Sequence, residues 1–151
     1  LLCEGTDDYM ASADGVFGLQ WPSFGYTNPN RKFSDITDGT SNTILAGETI
    51  YNYQNYLWSA STPPPHGGTV KFGNARWAVG YPGISLGTTL KPFNVHTAAA
   101  LGGFASMHAG LGGNFLFGDG GVHFKSQTMD ATIYDASATR AGGEVAGAIH
   151  E

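Results

Sequence analysis

His108 stands before Asp119, with ten residues between them, in the stretch "HAGLGGNFLFGDGGVHF". An imidazole with a carboxylate is the smallest set that can pass a proton or grip a metal ion. That chemistry needs a third participant, a nucleophile or an activated water at hydrogen-bond distance, and the sequence nominates none. The same residues have an architectural use. The imidazole can bond backbone groups of the glycine-rich loop that follows it while Asp119 caps its own turn, pinning a loop to a hairpin. That use is the expected one.

A second set lies in "SDITDGTSNTILAGE", where Asp38, Ser41 and Asn42, with Glu48 further on, offer oxygen donors to a hard cation such as calcium. The spacing is not that of an EF-hand, and such side chains in turns commonly bond their own backbone. A turn network is therefore expected, with calcium as the alternative. The five histidines (His66, His96, His108, His123 and His150) form neither HExxH nor His-x-His, and no GxSxG is present. Zinc and serine hydrolases of those types are excluded. Cys3 is the only cysteine, so neither an intrachain disulfide nor a cysteine metal cluster can form. Trp21, Trp58 and Trp77, with Tyr26, Tyr51, Tyr53 and Tyr56, are candidates for stacking on sugar rings, although core and interface are the commoner places for aromatics. The glycine-rich "LGGF" and "GLGG" lack a phosphate-binding pattern. No enzyme activity and no obligatory cofactor are expected.

The elements that must position these residues follow from composition. Charged residues make up only 13% of the 151, against 23 glycines and 7 prolines, which favours strands and turns over long amphipathic helices. The net charge is −5 with no basic run, which argues against nucleic acid as a partner. There is no apolar run of membrane-spanning length. The opening "LLCEGTDDYM" lacks an initiator Met and reads as the start of a processed or truncated piece. Residues 1–151 read as one α+β, β-rich domain.

Within it, residues 1–32 read as short extended segments joined by loops. A helical turn capped by Ser34 and stopped by Gly39 precedes a strand over residues 43–50. Residues 61–68, "STPPPHGG", read as a polyproline-like surface loop. Short strands follow in "VKF" and "ARWAVGY", then a packed loop over residues 97–106. "NFLFGDGGVHF" is a β-hairpin turning on Asp119-Gly120, with Phe115 and Phe117 on one face and Val122 and Phe124 repeating that spacing toward the core. A short helix opened by Ser126 or Thr128 runs through Ala131, Ile133, Tyr134 and Ala138 to Gly142-Gly143, with Ala131, Tyr134 and Ala138 on its packed face.

Three ordered blocks, "SDITDGTSNTILAGE", "SMHAGLGGNFLFGDGGVHF" and "ATRAGGEV", resemble the bacterial pilin-like proteins that carry a prepilin-type processing-associated C-terminal motif. In that motif a His, nine residues and Asp-Gly follow one another. His108, Asn114, Phe117, Asp119 and Gly120 fall on it here with ten intervening residues, an insertion the glycine-rich loop is expected to absorb. "LLCEGTDDYMASADGVFG" is similar to the family's middle region. The resemblance implies the globular head of a pilin or pseudopilin, whose long N-terminal apolar helix is absent from this chain and supplies the family's membrane connection. It also implies a non-enzymatic structural subunit of an extracellular or cell-surface filament, a type IV pilus or a type II secretion pseudopilus. Its partners would be copies of itself or other pilin-like subunits. Calcium in a loop of some secretion pseudopilins adds weight to the cation alternative. A secreted or cell-surface glycan-binding module is the competing function.

Overall fold

The computed structural model describes residues 1–6, 13–50, 53–71, 80 and 84–144. Strands β1 (Leu2–Gly5), β4 (Ile44–Gly47), β5 (Leu86–Thr88), β6 (Gly112–Phe117) and β7 (Val122–Ser126) form one sheet in the order β5-β1-β4-β6-β7. β2 (Gln20–Trp21) and β3 (Tyr26–Thr27) pair separately as a small antiparallel ribbon. Among the pairings of the described strands, β1–β5 alone is parallel. A single short helix, α1 (Ala131–Ala136), completes the described regular structure besides three single 3₁₀ turns. The fold is thus α+β and strand-rich, as the composition implies.

The core lies on one face of the sheet. Cys3, Ile44, Phe104, Phe115, Phe117, Tyr134 and Ala138 pack there, with Phe93 and Ile133 at the margin. Phe115 is the centre, its ring 5.2 Å from that of Phe93 and 5.4 Å from that of Phe104. Such tilted and edge-on contacts match the quadrupoles of aromatic rings. A second cluster, around Ile50, Tyr53, Ala100 and Ala105, holds residues 97–106 against the chain leaving β4. The packed loop expected there is a 3₁₀ turn, Ala98–Ala100.

The hairpin forms where expected, but its second strand faces the other way. The partners are Phe115 with His123, Asn114 with Phe124 and Leu116 with Val122. Side chains of paired residues share a face. Phe115 and Phe117 are therefore buried beside His123 and Lys125, while Val122 and Phe124 lie outside, 62% and 50% exposed. The turn fixes this parity: three residues, 118–120, separate Phe117 from its partner Gly121. Lys125 enters the core side by laying its aliphatic stem inward, with Nζ 5.8 Å from the centre of the Phe117 ring.

Several boundaries also differ from expectation. The helical turn expected before β4 is Phe33–Asp35, and it is Asp35, not Ser34, that closes it by accepting the Lys32 N–H. β4 covers only the middle of residues 43–50. Asp130 caps α1 by accepting from the Thr132 N–H, displacing Ser126 and Thr128 from that role. α1 stops well before Gly142; Tyr134 and Ala138 are buried and Ala131 is exposed, because Ala131 stands in its first turn, beyond the core's edge. Residues 61–68 are successive turns with a cis Pro64–Pro65 bond and not a polyproline helix, held in a loop whose ends meet at a Leu57–Val70 bridge. "ARWAVGY" lies almost wholly outside the described residues, as do Tyr51, Trp77 and His150.

Candidate functional site

Glu48 follows β4 directly, and the sheet brings it to the residue beyond the glycine-rich loop. Its Oε2 accepts the Asn114 backbone N–H at 2.7 Å, and its own N–H donates to the Asn114 carbonyl at 3.2 Å. That two-point attachment leaves Oε1 free to meet His108 Nε2 at 3.0 Å. The Asn114 Nδ2 lies 3.3 Å from the same ring nitrogen. One nitrogen cannot both donate to the carboxylate and accept from the amide; the charge-assisted bond to Glu48 is the stronger. The expectation that the imidazole bonds loop backbone is corrected, since its partner is a carboxylate from another strand.

The His108 backbone is fixed separately, its N–H donating to the Ser106 hydroxyl at 3.2 Å. That hydroxyl in turn donates to the Gly112 carbonyl. Leu111 closes the loop with its N–H on the His108 carbonyl, and takes a left-handed backbone conformation, φ 51°, that leucine rarely adopts. Phe124 flanks the site from the outer face, its ring 6.2 Å from the imidazole.

Desolvation pushes the Glu48 carboxyl upward, but the bonds from the Asn114 backbone, His108 and the Asn114 side chain together outweigh it and hold the group below the ordinary carboxylate range. Beside the pair lies an open cavity of about 700 Å³, bordered by Glu48, Thr49, Ile50, Ser106, Met107 and His108. A Glu-oriented imidazole is equipped to move a proton. Ser106, the nearest hydroxyl to the loop, points at the Gly112 carbonyl instead of the ring.

Asp119 is elsewhere. Its Oδ1 accepts the Gly121 N–H at 2.8 Å, capping its own turn, and Gly120 adopts φ 87°, a conformation that costs glycine little. His108 and Asp119 are thus placed at opposite ends of β6. The hairpin tip is anchored to the first block, with Gly118 N–H on the Thr43 carbonyl and Asp119 N–H on that of Thr40. A Cβ on Gly118 would come within 2.9 Å of the Thr40 carbonyl oxygen, so the docking requires glycine.

The four cation candidates also separate. Asp38 accepts from the backbone N–H groups of Gly142 and Gly143 at 2.7 and 3.0 Å, and from the Thr139 hydroxyl at 3.2 Å. Asn42 donates to the Asp38 carbonyl, Ser41 shares that turn, and Glu48 lies across the length of β4, roughly 13 Å of extended chain. Among the described residues no three acidic, histidine or cysteine side chains converge as a metal-holding group.

Sequence reasoning missed two clamps. One is the Glu48–His108 pair, whose two members the sequence pattern assigns to separate sites, Glu48 to a cation and His108 to Asp119 and its own loop. The other is Arg140, whose Nη1 donates to the carbonyls of Ala13 and Gly15 at 2.6 and 2.7 Å and so ties the last block to the first loop. Of the aromatics offered for stacking, Tyr53 is wholly buried, because it sits in the second core cluster. Trp21 and Trp58 are exposed.

A family model described as "Protein of unknown function (DUF1559)" matches residues 2–132. No curated protein matches the chain, and no solved structure does.

Proposed function

The chain belongs to the DUF1559 family, whose members carry the His-to-Asp-Gly signature, and from that premise we propose that it is a non-enzymatic, pilin-like structural subunit. It acts outside the cytoplasmic membrane, at the cell surface, by packing against copies of itself or related subunits in a pilus or secretion pseudopilus. One observation carries this reading: the ionisable and polar residues of the three blocks bind the other blocks. Glu48 of the first block takes His108 and Asn114 of the second, Asp38 takes Gly142 and Gly143 of the third, and Thr40 and Thr43 take the hairpin tip. Side chains engaged in this way set a shape, whereas a catalytic set presents atoms to a substrate.

The surface supports the same reading. Phe24, Phe33, Met107, Leu111, Val122 and Phe124 are each at least half exposed, an apolar surface of the kind that partners cover. Electron microscopy of the protein purified from its native envelope, with any upstream segment intact, is the test. Ordered fibres or pseudopilus-like assemblies are expected; monomers alone would overturn the proposal.

Glycan binding remains the competing function on one observation. Exposed Trp58 stacks near His66, and Lys71 Nζ sits 4.9 Å above its ring and 5.1 Å above that of Tyr56. The Trp58 face turned away from Lys71 is the one a sugar ring would stack on. Binding on a glycan array that disappears with Trp58→Ala would favour this reading over the structural one.

A further inference from the structure

The five-stranded sheet has two edges, and they are unlike. At β5 the edge is occupied: Thr88 N–H donates to the Gly102 carbonyl at 3.0 Å, and a Cβ on Gly87 would approach that oxygen to 3.1 Å. Residues 100–103 therefore lie along it. At β7 the alternation of the ladder decides which groups are free. Phe117 donates to Gly121 and Gln127 to Leu111, so the bonded pairs are 117 with 121, 115 with 123, 113 with 125 and 111 with 127. The N–H and carbonyl groups of Val122, Phe124 and Ser126 consequently point away from β6. Of these, the Ser126 carbonyl accepts from Met129, and the described residues give Val122 and Phe124 no backbone partner on that side.

We propose that β7 is the seam on which two copies of this chain pair, antiparallel and about a two-fold axis through Phe124. This rests on the reading that the domain acts by packing against its own kind, and it names the surface. Because the β5 edge is closed, an open β7 finds its complement in another β7. With Phe124 opposite Phe124, each exchanges both backbone bonds with its mate, and the Val122 carbonyl accepts the Ser126 N–H of the other copy, the Ser126 carbonyl being held by Met129. The exposed side chains on the outer face of this seam, Val122, Phe124 and Ser126, carry no charge and bring two phenyl rings together. On the inner face Lys125 would stand opposite His123, but both are turned toward the Phe117 ring of their own copy, the His123 ring 5.3 Å from it. An isologous contact of this kind closes on itself. It makes a dimer with a continuous sheet, and a filament must use other surfaces to join such dimers.

The test is disulfide formation in the full chain. Cys3 is fully buried and its thiol is pushed up to about 12, chiefly by desolvation, so one introduced cysteine is the reactive thiol. Paired residues sit about 5.5 Å apart between Cα atoms in a bonded antiparallel pair, within disulfide reach. Under mild oxidation Phe124→Cys should give a covalent dimer by non-reducing mass analysis. Val122→Cys alone should stay monomeric, because two copies of residue 122 would stand roughly 14 Å apart along the seam. Mixed with Ser126→Cys it should form the hetero-disulfide. Independently, Val122→Lys should weaken dimerisation in sedimentation at least about tenfold while leaving Tm unchanged. A Phe124→Cys that remains monomeric, a Val122→Cys that links to itself as readily, or capture of β7 by a strand of another protein with no self-pairing would each overturn the seam. Fibres without the Phe124→Cys link would sink the seam and keep the structural-subunit reading. The link without any fibre in native material would do the reverse.

Discussion

The two faces of the β6–β7 hairpin carry the same kinds of residue and meet opposite fates. Phe115 and Phe117 are buried at the centre of the aromatic cluster, whereas Val122 and Phe124, a few residues on, face solvent, Phe124 beside His108. Hydrophobicity does not distinguish them. What does is the turn, because three residues between Phe117 and its partner Gly121 set the parity of everything after it. The inner face holds the molecule together by ring packing. The outer face, with Asn114, Glu48 and His108, holds a loop by polar contacts in partial contact with water. The first kind of contact is worth several times the second, and that ratio can be measured.

The widest separation should come from truncating a ring on each face. Phe117→Ala is expected to cost about 3–5 kcal/mol of unfolding free energy, since the emptied site is walled by strands that cannot close on it. Glu48→Ala comes next, at about 1–2 kcal/mol, because it strands the Asn114 N–H as well as His108. His108→Ala should cost less, up to about 1 kcal/mol, as half-exposed ion pairs do. Chemical denaturation reads all three, and equal losses for Phe117→Ala and His108→Ala would erase the distinction between the faces. Phe124→Ala should fall within about 0.5 kcal/mol of the parent under dilute, monomeric conditions.

Acid sharpens the comparison. The Glu48 carboxyl is held below its unfolded value, so its contribution is complete above the ordinary carboxylate range and is lost as pH falls through the depressed native value. Tm of the parent should drop more steeply on acidification than Tm of Glu48→Gln. Coincident profiles would mean that the carboxylate does not stabilise the native fold. The smallest effect expected is none: millimolar calcium should leave Tm unchanged, because Asp38 and Glu48 are engaged at opposite ends of β4. A rise of several degrees would restore the cation site.

Much of this was legible. Alternating phenylalanines, a glycine-rich turn and low charge announce a hairpin in a strand-rich domain, because period and turn chemistry are local properties. Asp119 capping its own turn was legible for the same reason. The inward-facing Lys125 and outward-facing Phe124 were not, since apolar content was trusted over counting residues through the turn. Arg140 and Glu48 escaped because each acts on a chain segment far away in sequence, and no local signal names a distant carbonyl. The Ser34 cap failed over one residue, with Asp35 supplying the stronger acceptor.

Cys3 gives the molecule an internal clock. Its thiol sits fully enclosed between the sheet and Ala138, close enough to the Ala138 carbonyl for a weak bond at 3.9 Å. An alkylating reagent can reach it only when β1 parts from the chain after α1. The labelling rate of the unmodified protein therefore counts how often that layer opens, without any probe being introduced.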